Sequence, residues 1–291
     1  MCRRSDSRFR GQQIKPDPSR SELLNQVRRA LRVRHLSRRT AKAYIGWILR
    51  FLRFHPSRDP QQLDESEISA FLTHLATHDN VSASTQNQAR SALLFLYRRV
   101  LRRDIEGLKG VVRAKVSRRI PVVLSREEVT AVIDRLQGPQ RLMVELMYGC
   151  GLRLLECLRL RVKDIDFGRF EIVVRSGKGN KDRRTILPET IVETLREHLT
   201  RVRALHEREL ESGAGWVELP ASVDRKYPNA GKSWGWQWIF PATRTYRDSL
   251  TGQRRRHHYH ESALQRAVKE AVLRAGINKP ASCHTFRNAS T

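Results

Sequence analysis

Apolar residues recur at helical spacing through the first hundred positions of the chain. They predict four short amphipathic helices, each preceded by a residue that can cap it. The candidate caps are, in order, Ser21, Ser37, Asp64 or Ser66, and Ser82 or Ser84. The predicted buried faces are Leu23, Leu24, Val27, Ala30 and Leu31; Tyr44, Trp47, Ile48, Phe51 and Leu52; Ile68, Phe71, Leu72 and Leu75; and Ala89, Leu93, Leu96 and Val100. We therefore expect a small helical bundle over 21–103, after a disordered basic tail over 1–20.

Periodicity weakens over 104–120, which indicates a basic interdomain linker, and then returns with both helical and alternating patterns. The predicted elements are a helix capped by the box Ser125-Arg126-Glu127-Glu128, an apolar helix between Pro139 and the glycines at 149 and 151, strands over 170–175 and 183–187, a long charged helix over 188–210 and a last helix over 262–275. A second domain over 121–291 with helices and a small sheet follows. The chain as a whole is predicted to be mainly α.

One stretch, 148–166, places a single arginine beside a break in the chain. Arg153 follows Gly149-Cys150-Gly151, and the leucines at 152, 154, 155, 158 and 160 surround it. An arginine held by apolar neighbours offers a rigid guanidinium fork, which suits bidentate contact with a phosphate. The alternative is an ordinary core helix whose arginine extends to water.

A glycine-rich hairpin between the two predicted strands presents Lys178 at its turn, in the segment SGKGNKD over 176–182. A lysine at such a position can donate a proton to an alkoxide leaving group. The alternative is a solvated hairpin lysine. A Walker loop is excluded because the glycine spacing differs and no Lys-Ser/Thr pair precedes a helix.

Four of the five tryptophans fall in a loop-rich insert over 211–240: Trp216, Trp234, Trp236 and Trp238. Exposed indoles beside lysines are stacking surfaces for unpaired bases, whereas packing of the insert onto its own domain is the alternative. After the insert, the run RRRHHYH contains His257 and His258. Neither a carboxylate nor a cysteine is spaced to complete a zinc site there, so we predict phosphate contact and no metal.

The charge balance indicates a polyanionic partner. Lys and Arg number 56 against 30 Asp and Glu, a net charge of +26. Residues 1–120 carry 26 basic and 10 acidic residues, a net +16 that leaves +10 for the rest, so both domains are basic. DNA contacts are expected from Arg38, Arg39 and Lys42, at the start of the second helix. An anionic membrane is disfavoured because no amphipathic apolar segment flanks the basic runs.

The targeting and cysteine patterns favour a cytoplasmic protein. The first 20 residues contain no apolar run, and no stretch of the chain reaches the length of a membrane span. The four cysteines lack paired metal spacing, which is typical of reduced thiols. The bacterial cytoplasm, in association with the nucleoid, is the expected location.

Three motifs in this order resemble the tyrosine recombinase (phage integrase) family: Gly-Cys-Gly-Leu-Arg ending at Arg153, GKGNKDRR with Lys178, and His284-Thr285-Phe286-Arg287. The insert GAGWVELP…KYPNAGKSWGWQWIFP and the segment RVRHLSRRTAKAYIGWILRF resemble integron integrases more specifically. This resemblance implies an N-terminal helical core-binding (SAM-like) domain followed by an α+β catalytic domain. It also implies strand exchange on DNA without a metal or other cofactor.

The resemblance assigns roles to individual residues. Arg153, His284 and Arg287 would surround the scissile phosphate, Lys178 would protonate the leaving 5′-oxygen, and Glu156 would orient Arg153. A tyrosine would form a 3′-phosphotyrosyl link, and the insert would bind extrahelical bases of a folded single-stranded cassette site. A duplex attachment site and homo-oligomers on DNA are the other implied partners.

The family pattern continues past His-x-x-Arg to a tyrosine, whereas here all six tyrosines precede His284. From this we expect a C-terminally truncated catalytic domain that lacks its last helices, its nucleophile and its tail for contacts between subunits. Two functions remain open: an integron-type recombinase by descent, and a non-catalytic relative that occupies recombination sites. A general basic RNA-binding protein is a third possibility.

Overall fold

The computed structural model describes residues 18–34, 36–56, 58–59, 61–103, 121–175 and 182–289. The chain divides into two compact units, Met1–Arg118 and Arg119–Thr291. The expected linker over 104–120 lies outside the described residues, as do Lys178 and most of the expected N-terminal tail.

Among its described residues, the first unit contains four α-helices and a π-helix. They are α1 (Pro18–Val33), α2 (Arg38–Phe54), α3 (Glu65–Thr77), α4 (Ala83–Phe95) and the π-helix Leu96–Leu101, which continues α4. Three predicted caps are confirmed, because Ser37, Asp64 and Ser82 accept hydrogen bonds from the first turns of α2, α3 and α4. Ser21 is not a cap: α1 begins at Pro18, a residue that suits the first turn of a helix because it lacks an N–H.

Three aromatic side chains belong to the otherwise aliphatic core of the first unit. Phe51 from α2, Phe71 from α3 and Tyr97 from the π-helix are almost fully buried, and the Phe51 ring lies edge-on to both of the others. The Tyr97 hydroxyl donates to the Leu63 carbonyl at 3.0 Å, so its buried oxygen is satisfied. This core holds the N-terminal turns of α2 at the surface of the unit, where the basic residues predicted to contact DNA are exposed.

The second unit combines seven α-helices, three short 3₁₀-helices (Val162–Asp164, Ala230–Lys232 and Trp234–Trp236) and five strands among its described residues. The α-helices are α5 (Arg126–Ile133), α6 (Gly138–Gly149), α7 (Leu154–Leu158), α8 (Glu189–Glu211), α9 (Ala221–Lys226), α10 (Glu261–Arg274) and α11 (Cys283–Asn288). The strands are β1 (Ile165–Asp166), β2 (Glu171–Val174), β3 (Arg183–Ile186), β4 (Pro241–Arg247) and β5 (Arg254–His258).

The strands form two small antiparallel sheets, one ordered β1-β2-β3 and one made of β4 and β5. In the first sheet, Ile172 of β2 pairs with Ile165 of β1 and Thr185 of β3. The second sheet was not predicted. Its register shifts between Pro241 and Thr245, which breaks the alternation of buried and exposed residues that a sequence pattern requires.

Helix α6 supplies the centre of the second core, with Leu142, Met143, Val144, Leu146 and Met147 buried. It ends where the glycines were predicted to stop it. Gly149 is needed there because a Cβ at this position would lie 2.9 Å from Cγ of Pro188. The chain therefore turns away from α6 tightly against the start of α8. In the described ranges, no helix is both long and apolar enough to cross a bilayer.

Candidate functional site

The turn after α6 organises the candidate site. Gly151 adopts a positive φ of 60°, a backbone conformation that glycine reaches without steric cost. Its carbonyl accepts hydrogen bonds from Nε of Arg287 at 3.0 Å and from Nη2 of Arg183 at 3.3 Å. Gly151 and Arg287 are 136 positions apart in the chain, so this turn joins distant arginines at one point.

Glu156 holds two further arginine contacts. Its Oε1 accepts from Nη1 of Arg153 at 2.6 Å, and its Oε2 accepts from Nη2 of Arg183 at 2.8 Å and from the Arg153 backbone N–H at 3.0 Å. Burial alone would raise the pKa of Glu156, but the hydrogen bonds from Arg183 and Arg153 lower it to about 2. The carboxylate is therefore charged and fixes the guanidinium of Arg153, the role that the resemblance implied.

Helix α11 presents His284 and Arg287 one turn apart. Cys283, Thr285 and Phe286 are buried, which leaves His284 exposed and Arg287 half-buried. Burial and the nearby Arg153 guanidinium lower the pKa of Arg287. Arg287 therefore lies in a cluster of cations that also contains Arg153 and Arg183. The buried side of this short helix thus orients both functional candidates.

A cavity of about 630 Å³ brings three of the predicted residues together: Arg153, His284 and Arg287. Its other lining residues are Leu155, Glu156, Arg159, Leu160, Asp164, Val174 and Arg175. Lys178, the fourth predicted catalytic residue, lies outside the described residues.

Sequence reasoning missed Arg159, Arg175 and Arg183 as site residues. Arg175 follows β2 and donates from Nε to Oδ1 of the buried Asp164 at 2.8 Å. Arg183 begins β3 and donates from Nη2 to Oε2 of Glu156 in α7 at 2.8 Å. The only signal in the sequence was the basic pair that ends the hairpin motif. That pair does not show toward which residues its side chains point. The two carboxylates that line the cavity both have arginine partners. The positive electrostatic potential of the other cations therefore favours an anionic ligand.

The basic residues predicted to contact DNA in the first unit are exposed in the first two turns of α2. Arg38, Arg39 and Lys42 lie there beside Ser37, whose side chain accepts the Thr40 N–H at 3.1 Å. Arg38 and Lys42 are one turn apart on the same side of the helix.

The insert does not expose all four indoles, and the expectation is wrong for Trp238. This side chain is only 7% exposed and donates from Nε1 to the Arg256 carbonyl at 3.2 Å. Trp216, Trp234 and Trp236 are half-buried. The burial arises because Trp238 pairs through its backbone with Arg161 and packs with Val217 and Leu219 in a small separate core.

Each tryptophan of the insert has a basic side chain near its ring. Lys163 Nζ lies 2.9 Å from the ring centroid of Trp236, Lys232 Nζ lies 4.8 Å from that of Trp216, and the guanidinium carbon of Arg203 lies 5.8 Å from that of Trp234. Arg161 lies against both Trp236 and Trp238. These cation–π contacts fix the indoles and leave basic groups beside them.

The two histidines of β5 differ, and phosphate contact by His258 is contradicted. His257 is exposed, as phosphate contact requires. His258 is buried against Trp238, its Nδ1 lies 2.8 Å from the Tyr259 carbonyl, and burial lowers its pKa to about 4. A buried neutral imidazole supports the indole packing instead. Within the described parts of the chain, no group of three or more His, Cys, Asp or Glu could hold a metal ion.

Comparison with known families decides the relationship. Residues 123–291 match the phage integrase family, and residues 23–107 match the N-terminal SAM-like domain of phage integrases. The chain belongs to the phage integrase family. An integrase/recombinase of Escherichia coli is 46% identical over 273 residues, which cover 94% of this chain and 81% of that protein, and one of Pseudomonas aeruginosa is equally similar. A tyrosine recombinase of Pseudothermotoga lettingae is 31% identical over 178 residues, covering 58% of this chain and 62% of the relative.

Solved structures confirm the predicted fold class. A lambda integrase tetramer bound to a Holliday junction matches with a TM-score of 0.61 at 17% identity, covering 95% of this chain and 70% of that one. The XerH recombinase bound to its difH substrate matches with a TM-score of 0.54 at 18% identity, covering 96% and 78%. The family fold, a SAM-like helical domain followed by a catalytic domain with small sheets, is therefore the fold of this chain.

Proposed function

We propose that this protein is a site-specific DNA recombinase that acts by the phosphotyrosyl chemistry of tyrosine recombinases. The observation that supports the proposal most directly is the shared cavity of Arg153, His284 and Arg287. Three donors from two distant segments face one space, and the neighbouring carboxylates already have arginine partners. A phosphodiester is the anion that such an arrangement would bind on DNA.

The chemistry assigned to the cavity is phosphoryl transfer. A tyrosine oxygen bonds to phosphorus while the bond to the 5′-oxygen breaks, and that oxygen receives a proton from Lys178. The pentacoordinate transition state carries more negative charge than the diester. Arg153 and Arg287 stabilise this charge by hydrogen bonds and Coulomb attraction, and His284 adds a ring donor. The phosphotyrosyl bond conserves the energy of the broken bond, so the reaction needs no nucleotide cofactor, and the arginines supply the charge stabilisation that a metal ion would otherwise give.

We further propose that the recombinase is of the integron type. The insert over 211–240 supports this assignment, with Trp216, Trp234 and Trp236 half-buried and flanked by basic groups. These indoles would bind extrahelical bases of a folded single-stranded cassette site, and His257 would contact a nearby phosphate. Arg38, Arg39 and Lys42 would contact the DNA backbone from the first unit, around a cassette site or a duplex attachment site.

Two aspects of the cellular setting belong to the same proposal. The lambda integrase neighbours are dimers and tetramers on DNA, and subunits of this protein would likewise assemble on the recombining sites. Because its substrate is DNA, we place it in the bacterial cytoplasm, with the nucleoid.

The polypeptide of residues 1–291 is proposed to bind such DNA without cleaving it. All six of its tyrosines precede His284, whereas the family pattern has the nucleophile after this motif. Among the described residues, no tyrosine lines the cavity, and Tyr259, the one nearest to the motif in sequence, lies 2.8 Å from Gln140 Nε2 through its hydroxyl. If no other residue or subunit supplies a nucleophilic tyrosine, this polypeptide has the alternative function: it occupies recombination sites without catalysis.

A suicide substrate tests both parts of the proposal. The polypeptide is incubated with a folded single-stranded cassette hairpin that carries a nick beside the expected cleavage point, and with the matching duplex. We expect a mobility shift that weakens steeply with salt and no adduct that survives denaturing electrophoresis. A covalent adduct would overturn the non-cleaving assignment. Equal binding of scrambled RNA, unaffected by Arg153→Ala, would overturn the recombinase assignment and favour a general RNA-binding protein.

A further inference from the structure

Two histidines lie one turn apart at the C-terminal end of α3, in the segment His74-Leu75-Ala76-Thr77-His78. Leu75 is buried in the core of the first unit, whereas the His74 side chain is 35% exposed and His78 is exposed. Residues four apart share one side of a helix, and this spacing is that of the two zinc-binding histidines in the His-Glu-x-x-His motif. The recombination chemistry proposed above makes no use of the pair.

The two imidazole rings already lie at the separation that a shared ion requires. Their centroids are 4.6 Å apart, and their planes differ by 21°. Two imidazoles bound side by side to one ion, at a metal–nitrogen distance of about 2.0–2.1 Å, have centroids roughly 4.5–5 Å apart. Rotation of the rings about χ2, which is a soft torsion in histidine, directs one nitrogen of each toward the same point.

The hydrogen bonds of Thr77 determine which nitrogen of His78 is available. The Thr77 hydroxyl donates its proton to the Thr73 carbonyl at 3.0 Å, so toward Nδ1 of His78, also at 3.0 Å, it acts as an acceptor. This places the proton of the neutral His78 ring on Nδ1 and leaves a lone pair on Nε2. Metal-binding histidines are commonly oriented in this way, by an acceptor for the other ring nitrogen.

The ring of His74 is restrained by its neighbours. It packs against Phe54, with centroids 4.9 Å apart, as well as against His78. Its Nε2 lies 3.8 Å from Oδ2 of Asp79, which is too far for a hydrogen bond. Because both rings are held in place before an ion arrives, little side-chain entropy is lost when it binds.

Charge and ligand number determine which kind of ion fits. The C-terminal end of a helix carries partial negative charge, which favours a cation there. Asp79 adds a carboxylate nearby, but this carboxylate accepts a hydrogen bond from Nη2 of Arg50 at 2.7 Å and is not counted as a ligand. In the part of the chain that the structure describes, no group of three or more His, Cys, Asp or Glu could hold an ion, so water completes the coordination. Imidazole is a ligand for Cu²⁺, Ni²⁺ and Zn²⁺, whereas Mg²⁺ and Ca²⁺ prefer oxygen.

We propose that His74 and His78 form a binding site for a divalent transition-metal ion, which binds through Nε2 of both rings. Cu²⁺ is preferred over Ni²⁺ and Zn²⁺, in the general order of stability of such complexes. The ion exchanges with solvent because only two ligands come from the protein. It stabilises the first unit by binding folded α3 in preference to the unfolded chain. The ligands belong to the first unit and the cavity of Arg153, His284 and Arg287 to the second, so this inference does not rest on the proposed function.

Metal titration of residues 1–291 tests the proposal. NiCl₂ and, separately, CuCl₂ are titrated into the protein by calorimetry in a buffer that does not chelate metals. The unaltered chain is expected to bind one more ion than the variant His74→Gln with His78→Gln, and to bind it more tightly as Cu²⁺ than as Ni²⁺. The control, His55→Gln with His260→Gln, also removes two histidines and should retain that ion. Equal stoichiometry in all three proteins would overturn the proposal.

Thr77→Val tests the assignment of Nε2 without removing a ligand. His78 loses the acceptor that fixes its tautomer and orientation, so affinity for Ni²⁺ is expected to fall about tenfold. Thr200→Val is the control, because the Thr200 hydroxyl likewise donates to a carbonyl four positions earlier, at 3.1 Å, and bonds to no histidine ring among the described residues. Equal affinities of the two variants for Ni²⁺ would contradict the assignment.

Urea unfolding gives an independent measurement. Saturating Ni²⁺ is expected to raise the urea midpoint of the unaltered chain and of the His55/His260 control, but not that of the His74/His78 variant. A rise of equal size in all three proteins would place the ion elsewhere and overturn the proposal. None of these measurements involves DNA, so failure of the metal site and failure of the proposed function are distinguishable.

Discussion

The guanidinium carbon of Arg161 lies 3.8 Å from the ring centroid of Trp238, between the insert and the catalytic part of the second unit. The same side chain donates to the Trp236 carbonyl at 2.6 Å and to the Glu218 carbonyl at 2.7 Å, and it is 9% exposed. Burial lowers the pKa of Arg161 to about 10, so the group remains charged at neutral pH. One buried cation therefore connects two segments of the insert.

Arg161→Ala is expected to destabilise the insert by about 3 kcal/mol, because two buried carbonyls lose their donor and two indoles lose their neighbour. Tryptophan fluorescence during urea unfolding measures the loss. Arg203→Ala serves as the control. Arg203 is exposed, its guanidinium carbon lies 5.8 Å from the ring centroid of Trp234, and among the described residues it donates to no backbone carbonyl. Equal stability of the two variants would show that Arg161 does not hold the insert.

Glu156 predicts a loss of stability in acid. Its pKa in the folded chain is about 2, below the ordinary value of 4.5. The contribution of this carboxylate to the free energy of unfolding is therefore fully present above about pH 4.5. It is lost as the pH falls toward 2, and the loss is about 3 kcal/mol at most. Glu156→Gln should remove this pH dependence and lower stability at neutral pH, as measured by urea unfolding between pH 2 and pH 7. Glu171→Gln, on an exposed ion pair of the first sheet, is the control. If both variants retain the acid transition, Glu156 is not its source.

Two glycines are expected to respond in opposite directions to alanine. Gly151→Ala places a side chain at φ of 60° and should cost about 1 kcal/mol of stability, as well as displacing the carbonyl that anchors Arg287. Gly46→Ala, within α2, adds a Cβ that meets nothing within 4 Å and should stabilise the chain by up to about 1 kcal/mol. Thermal unfolding of both variants tests the contrast, and a loss at both positions would contradict it.

The sequence predicted what depends on local chemistry. Ser37, Asp64 and Ser125 were recognised as caps because a cap acts on the turn that follows it. The catalytic candidates came from the order of three motifs, through the family resemblance. Contacts that cross the chain could not be found in this way. Nothing near Arg183 indicates that it reaches Glu156 on another element, and the burial of Trp238 depends on its backbone pairing with Arg161.

His258 predicts a second pH effect, of a different origin. Its pKa in the folded chain is about 4, so between pH 6.5 and pH 4 the unfolded chain takes up a proton that the folded chain does not. Stability is expected to fall across this range as the pH decreases, by about 3 kcal/mol at most. His258→Gln should flatten the decrease, whereas His257→Gln, at the exposed neighbour, should leave it unchanged. Identical pH profiles for the two variants would contradict a buried neutral His258.

Arg287 provides the most direct test of the cavity on DNA. Removing its guanidinium leaves the Gly151 carbonyl without that donor and takes one cation from the proposed phosphate site. Arg287→Gln is therefore expected to weaken binding of cassette hairpin DNA about tenfold and to reduce the salt slope by about one. Arg184→Gln, from the exposed side of β3, removes the same charge and should change affinity much less. Fluorescence anisotropy at several salt concentrations measures both quantities. Equal effects of the two substitutions would mean that the DNA senses only the total charge of the second unit, and that the convergence of Arg153, His284 and Arg287 does not bind a phosphate.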